Sequence, residues 1–173
     1  MKILTAIAVL CAMMALTRAF ALPEAEAKDD QTVKSHLVKR STACPNGWSL
    51  FNDRCFHYYP RPTTWAKAEK NCQSLGANLA SVQNIQEYHE IQRLITAASY
   101  QSKEAWLGGS DAQEERLWLW SDGSPFSYLN WCNGQPDNYR GQQHCLQMNF
   151  GADKCWDDVG CLISRPFVCA KKV

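Results

Sequence analysis

The chain has 173 residues, with 18 Lys and Arg against 17 Asp and Glu and a formal net charge of +1. That balance excludes the strongly basic face that nucleic acids require and gives no electrostatic pull toward anionic membranes. Nine cysteines in a chain of this length make disulfide or metal chemistry the first question to settle.

Lys2 precedes an uncharged, mostly apolar run of 15 residues from Ile3 to Thr17, followed by small residues at Ala19 and Ala21. This is the layout of a secretory signal peptide over residues 1–21, and the run is shorter than the ~20 residues of a membrane-spanning helix. An uncleaved anchor is the weaker alternative. Residues 22–40 are polar, poor in aromatics, and end in Lys39-Arg40. They read as a propeptide with a dibasic processing site or as a disordered tail, because they hold too little apolar surface to offset chain ordering. A secreted, extracellular protein follows from both segments. Residues 41–173 then form one domain, with 12 Lys and Arg against 13 Asp and Glu. It has no internal repeat and no Asn-x-Ser/Thr sequon.

Cys11 lies in the leader; Cys44, Cys55, Cys72, Cys132, Cys145, Cys155, Cys161 and Cys169 lie in the domain. An even number behind a secretory leader implies a disulfide framework. Cys-x-x-Cys and His-Glu-x-x-His spacings are missing, which speaks against zinc. Spacing alone leaves on the order of a hundred pairings open.

Residues 46–59 predict a hairpin turning at Asn52-Asp53. Thr63 or Thr64 caps a helix carrying Trp65, Ala68, Cys72 and Leu75 on one face and stopped by Gly76. A second helix opens at Asn84 with Glu87 three residues on, as in a capping box, and lines up Tyr88, Ile91 and Ile95 until the pattern fades after Ala97. Strands are expected at Ala105–Leu107, Leu117–Trp120, His144–Phe150, Lys154–Asp157 and Phe167–Ala170, with Leu146, Met148 and Phe150 alternating. The stretch from Gly108 to Gly141 is rich in turn formers. Long irregular segments of this kind are functional or need staples. The class is α+β: two early helices, small antiparallel sheets and a long disulfide-stapled loop region.

Taken together, CPNGWSLFNDRCF, TWAKAEKNCQSLGANLASV, AWLGGSD, WSDGSPFSYLNW, QPDN, CWDD and FVCA resemble the C-type lectin domain over residues 44–170. The likeness is to secreted fish lectins of the galactose-binding kind and to the related type II antifreeze proteins. It implies the bridges Cys44–Cys55, Cys72–Cys169 and Cys145–Cys161, and Cys132–Cys155 as the extra bridge of the antifreeze-like branch. A fifth bridge common there is lost, since Ala112 and His144 stand at its positions.

The resemblance also implies a calcium site. Calcium takes six to eight oxygens. Gln135 and Asp137 flank Pro136, which the family holds cis; Gln143, Asp157 and Asp158 would complete the set, Asp158 adding its carbonyl. Relatives usually carry Glu where this chain has Gln143 and Asn where it has Asp157. Asp137, Asp157 and Asp158 still supply three carboxylates. Gln-Pro-Asp resembles the galactose-type motif, as Glu-Pro-Asn does the mannose type. Gln135, Asp137, Gln143 and Asp157 would meet sugar hydroxyls, and Tyr139 would stack on the sugar's apolar face. An auxiliary calcium site would use Asp111, Glu115, Asn138 and Gln143, with His144 where an acid is often found; it is expected to be weak or empty. His57, His89 and His144 show no ligand spacing and read as surface or packing residues. Trp106, Trp118, Trp120, Trp131 and Trp156 read as packing.

The implied function is calcium-dependent recognition of galactose-type glycans on cell or microbial surfaces, in innate defence, with homo-oligomers supplying avidity. Two rivals share the fold. One is an ice-binding protein, against which the bulky Tyr139 and Arg140 and the lost fifth bridge speak. The other is a calcium-independent, protein-binding module. No Gly-x-Ser-x-Gly or Walker loop supports an enzyme.

Overall fold

In the computed structural model, residues 43–173 are described. The leader and tail expected at 1–21 and 22–40 lie outside them. The elements in chain order are β1 (Ser49–Phe51), β2 (Arg54–Thr63), α1 (Trp65–Ser74), β3 (Asn78–Leu79), α2 (Ile85–Ser99), β4 (Ala105–Ser110), β5 (Leu119–Trp120), β6 (Cys145–Phe150), β7 (Cys155–Val159) and β8 (Arg165–Lys172).

The hairpin turn at Asn52 and Asp53 forms with both residues at positive φ (46° and 59°), the conformation a two-residue hairpin loop needs and Asn and Asp tolerate. Thr64 occupies the N-cap of α1 but its side chain makes no capping bond. Leu75, expected on the apolar face, is the exposed C-cap residue. Asn84 does cap α2, accepting from the Glu87 N–H at 2.9 Å. Glu87 reaches back one residue further than a capping box, to the Gln83 N–H at 2.8 Å, and also takes Arg54 at 2.9 Å. α2 runs two residues past Ala97 and ends where Tyr100 turns left-handed.

The strands join in the order β1-β2-β8-β4-β6-β7, with β3 added to β8 and β5 to β4. The antiparallel arrangement expected from sequence needs one correction: β4 and β8 meet in parallel, Trp106 opposite Phe167. A parallel pair needs a long crossover, which short-range periodicity does not reveal. Gly108 and Gly109 permit the close packing around β4. A Cβ at Gly108 would sit 2.6 Å from the Leu79 carbonyl oxygen, and one at Gly109 2.8 Å from the Leu146 side chain.

Two apolar clusters form the core. The larger joins Tyr88, Ile91 and Ile95 of α2 to Phe56, Leu107, Leu146, Met148, Trp156 and Val168. The smaller joins Ala68 and Cys72 of α1 to Leu79, Trp106, Phe167 and Cys169. Burying each large side chain contributes roughly 1.5–3 kcal/mol. Trp118, Trp120, Trp131 and Phe126 pack around one another and Trp156, with Trp120 and Trp131 each 5.7 Å from Trp156 edge-on. These residues belong to the long segment 108–141 itself and anchor it on Trp156 of β7. Phe150, by contrast, is only half-buried at the end of β6.

The bridges are Cys44–Cys55, Cys72–Cys169, Cys132–Cys155 and Cys145–Cys161, the four pairs the resemblance implied. Cys72–Cys169 spans 97 residues and sits in the smaller core cluster.

Candidate functional site

The candidate site is the loop from Cys132 to Cys145 laid against β7. The loop's root is fixed by backbone bonds: Cys132 N–H to the Trp156 carbonyl at 2.9 Å, and Trp156 N–H to the Asn130 carbonyl at 2.8 Å. The Cys132–Cys155 bridge ties the same point covalently, and Cys145–Cys161 ties the far end. Between them, the Gln135–Pro136 peptide is cis, and Asn138 and Arg140 adopt positive φ (42° and 60°). Residues 139–141 make a tight turn in which the Gly141 N–H bonds the Asn138 carbonyl at 2.7 Å and Arg140 is left-handed.

Asp158 is fully buried on β7 and braces this loop. Its carboxylate accepts the N–H groups of Asp137 at 2.9 Å and Asn138 at 2.8 Å. The Asp137 N–H is shared with Gln135 Oε1 at 3.0 Å. Tyr139 N–H in turn donates to Asp137 Oδ1 at 3.1 Å and to Gln143 Oε1 at 2.5 Å. The three backbone amides of Asp137, Asn138 and Tyr139 therefore serve the side-chain oxygens of Gln135, Asp137, Gln143 and Asp158. Tyr139 is exposed at the rim, with the Arg140 guanidinium 5.0 Å over its ring.

Asp157 belongs to the same neighbourhood but rests on a different support. It is 4 % exposed. Gln147, opposite it on β6, donates Nε2 to Asp157 Oδ2 at 2.8 Å and accepts Arg165 Nε at 2.8 Å. Arg165 then pairs with Glu104 at 2.9 Å. Sequence reasoning missed Gln147, because strand alternation marks Leu146 and Met148 and says nothing of which strand lies opposite. A polar Gln between two core residues of a strand buried on both faces was the only available signal.

Burial pushes the Asp157 carboxyl up to about 6, the Gln147 bond opposes this, and the charges of Asp158, Asp137 and Glu104 add to it. Asp158 is raised as well, by burial first and by Asp137, against the two amide bonds it accepts. Among the described residues, none of Asp137, Asp157 and Asp158 forms an ion pair with Lys, Arg or His. Three mutually repelling carboxylates, two of them buried, lack a cationic partner while two amide oxygens stand beside them. That donor set is all oxygen and anionic, which fits a hard dication such as calcium.

A second group lies on the other side of Asn138. His144 Nδ1 is 3.0 Å from Asp111 Oδ1 and 3.6 Å from Glu115 Oε2. Asn138 joins the two regions, its amide nitrogen contacting Glu115 Oε2 and its oxygen accepting the Gln143 N–H at 2.9 Å. His144, expected to be a packing or surface residue, is partly exposed and lies against Asp111 and Glu115. Its partners lie 29 and 33 positions away in sequence, so local spacing carried no sign of them. His57 contacts the Gly47 carbonyl, Trp48 and Tyr59 and lies outside both groups.

Comparison places this fold: the Lectin C-type domain model matches residues 61–171, and the chain belongs to that family. It is 37% identical over 177 residues to ladderlectin of Oncorhynchus mykiss, covering 96% of this chain and 92% of the relative. It is 40% identical over 143 residues to galactose-specific lectin nattectin of Thalassophryne nattereri, covering 82% and 89%. A solved Ca2+-dependent type II antifreeze protein in its Ca2+-free form superposes with a TM-score of 0.70 at 39% identity, covering 75% of this chain and 100% of that one. Among the described residues, no helix is long and apolar enough to cross a membrane.

Proposed function

We propose that the chain is a secreted, non-enzymatic lectin that binds galactose-type glycans through a calcium ion held by Gln135, Asp137, Gln143, Asp157 and Asp158. The observation that carries the reading is the set of three carboxylates without a cationic partner, Asp137 on a loop stapled at both ends and Asp157 and Asp158 on β7, with the amide oxygens of Gln135 and Gln143 on the same loop. Bound calcium would supply a hard Lewis-acidic centre for two vicinal sugar hydroxyls. The protein's own part is to hold the acceptors in place: Asp158 through the 137 and 138 amides, Asp157 through Gln147. Gln135 and Asp137 would set the pattern of donors and acceptors that selects the sugar, and exposed Tyr139 would meet its apolar face. The galactose specificity named for nattectin supports the substrate class. Residues 1–21 would direct secretion and 22–40 a short tail or propeptide ahead of a domain over 41–173. Recognition of microbial surfaces, with avidity from homo-oligomers, is the role this would serve.

The test is retention on galactose- and mannose-agarose with calcium and then with EDTA. Retention on galactose that EDTA releases is expected. Retention that ignores EDTA, or none on either resin, overturns the proposal.

A second reading, ice binding, has support in the antifreeze similarity. The exposed face over residues 138–144 carries Tyr139 with Arg140 stacked on it and three left-handed residues, which is not a flat array of small groups. Thermal hysteresis comparable with that of known antifreezes would favour ice over sugar.

A further inference from the structure

We propose that Asp111, Glu115 and His144 form a site for a zinc-type transition-metal dication, and not for the second calcium ion that family resemblance would put there. This goes beyond the sugar-binding reading and does not depend on it. One ligand atom from each residue converges, and the three lie within 4.8 Å of one another. A tetrahedral zinc centre with bonds of about 2.0–2.2 Å separates its N and O ligands by about 3.4 Å. The His144 Nδ1 separations of 3.0 Å from Asp111 and 3.6 Å from Glu115 bracket that value. Small side-chain adjustments would seat the ion, with water at the remaining position.

The ligand types decide the metal. Imidazole suits zinc, copper and nickel, whereas calcium wants oxygens alone. With His144 in place of an acid, the group offers one nitrogen and two carboxylates, which is too few oxygens for calcium and a sufficient set for zinc.

The support behind these ligands is already built. Asp111 is 2 % exposed, and its second oxygen accepts the Arg116 N–H at 2.8 Å, which orients the first toward the group. His144 is held by its backbone: its N–H bonds the Val159 carbonyl at 3.2 Å, and its carbonyl accepts the Asp111 N–H at 3.2 Å and Ser110 Oγ at 2.8 Å. The Cys145–Cys161 bridge starts at the next residue. Glu115 and His144 are partly exposed, so an ion can enter from solvent. Outer contacts of this kind fix ligand orientation and raise affinity.

The test is calorimetric titration of untagged, metal-stripped full-length protein with Zn2+, with millimolar calcium present throughout. One equivalent should bind, and Co2+ in its place should give the visible absorption of a tetrahedral centre. His144→Gln and Glu115→Gln should each weaken zinc at least about tenfold, while Asp137→Asn, aimed at the calcium reading, and His57→Gln should leave zinc unchanged. His144→Asp should exchange the preference, losing zinc and gaining a second calcium. No zinc bound by the wild-type chain, equal binding by His144→Gln or Glu115→Gln, or displacement of zinc by calcium would each overturn the proposal. Because Glu115 is an exposed side chain, its variant carries the test even where His144→Gln does not fold.

Discussion

Calcium binding at the stapled loop should be acid-sensitive in a way that one substitution abolishes. Calcium requires Asp157 as the carboxylate, and its carboxyl is pushed up to about 6 by burial and by the neighbouring acids. Going from pH 7.5 to 5.0, protonated Asp157 rises from about 3 % to about 90 %, so competition weakens apparent calcium affinity by about tenfold. An aspartate at its ordinary value would change affinity by only about a tenth over the same range. Asp158 is raised too, and because the pair is coupled its protonation can only steepen the fall. Asp157→Asn removes the titration of this group, so its affinity should be nearly flat across this range. The measurement is calcium titration by calorimetry at several pH values, with galactose-resin elution as a second readout. A flat wild-type profile would refute the reasoning, as would an Asp157→Asn variant that keeps the full tenfold drop.

The same group sets a stability prediction with a definite sign. A carboxyl raised on folding binds its proton more tightly in the native state, so its ionisation destabilises the calcium-free protein. The contribution of this group to stability should be greatest below about pH 4, fall as pH rises through about 6, and stay low above it. The full effect is at most about 3 kcal/mol and smaller wherever water reaches the loop mouth. Calcium-free protein should therefore melt higher at pH 5 than at pH 7.5, and calcium should raise the melting temperature chiefly at the higher pH.

Three further outcomes can be checked. Gln135→Glu with Asp137→Asn should move retention from galactose toward mannose agarose; unchanged sugar choice would show that Gln-Pro-Asp is not the reader. Replacing Cys132 and Cys155 together by Ser opens a loop of 23 residues' separation, which should cost about 3 kcal/mol in urea unfolding and weaken calcium in addition, since both arms of the site hang on that bridge. Glu87→Ala should cost about 2–3 kcal/mol, because the Gln83 N–H loses its acceptor and the Arg54 guanidinium loses its 2.9 Å partner while keeping Ser81 and the Asp122 carboxylate at 3.8 Å; a loss under about 1 kcal/mol would mean water already serves both donors.

The elements that the sequence revealed are those whose cause is local. α2 was readable because a capping Asn84 and an apolar face at Tyr88, Ile91 and Ile95 sit within a dozen residues, and the hairpin because Asn52-Asp53 accepts positive φ. What stayed hidden is long-range. The β4–β8 parallel contact, the short β3 lying on β8, and the sequestering of Glu69 by Leu79 N–H and Ser121 Oγ at 2.8 and 2.9 Å depend on partners 10 to 92 positions away. The loop residues Gln135, Asp137, Gln143, Asp157 and Asp158 could be named only because Gln-Pro-Asp and Cys-Trp-Asp-Asp resemble known motifs. Nothing in their own spacing says that a chain reversal brings residue 137 to residue 158. Gln147 had no motif to announce it and emerged only with the strand pairing, and the resemblance placed Asp111, Glu115 and His144 near one another without showing the contacts they make.

The exchange at positions 143 and 157 shows why a count of charges is insufficient. By count, a neutral Gln143 and an acidic Asp157 restore the three carboxylates that a Glu and an Asn would give. By location they do not. Gln143 lies on the partly exposed loop, where its Oε1 caps the Tyr139 amide and a carboxylate would have kept its hydration. Asp157 lies on the buried strand floor, where the charge is costly until a cation arrives. Moving the acid from rim to floor therefore keeps the site's charge at neutral pH but makes it dependent on pH and on occupancy. Restoring the usual arrangement, Gln143→Glu with Asp157→Asn, should leave calcium affinity at pH 7.5 within a few fold while removing most of its loss at pH 5.0. If the double variant loses calcium as steeply as the wild type on acidification, then Asp158, and not Asp157, carries the titration, and the floor position is not what tunes the site.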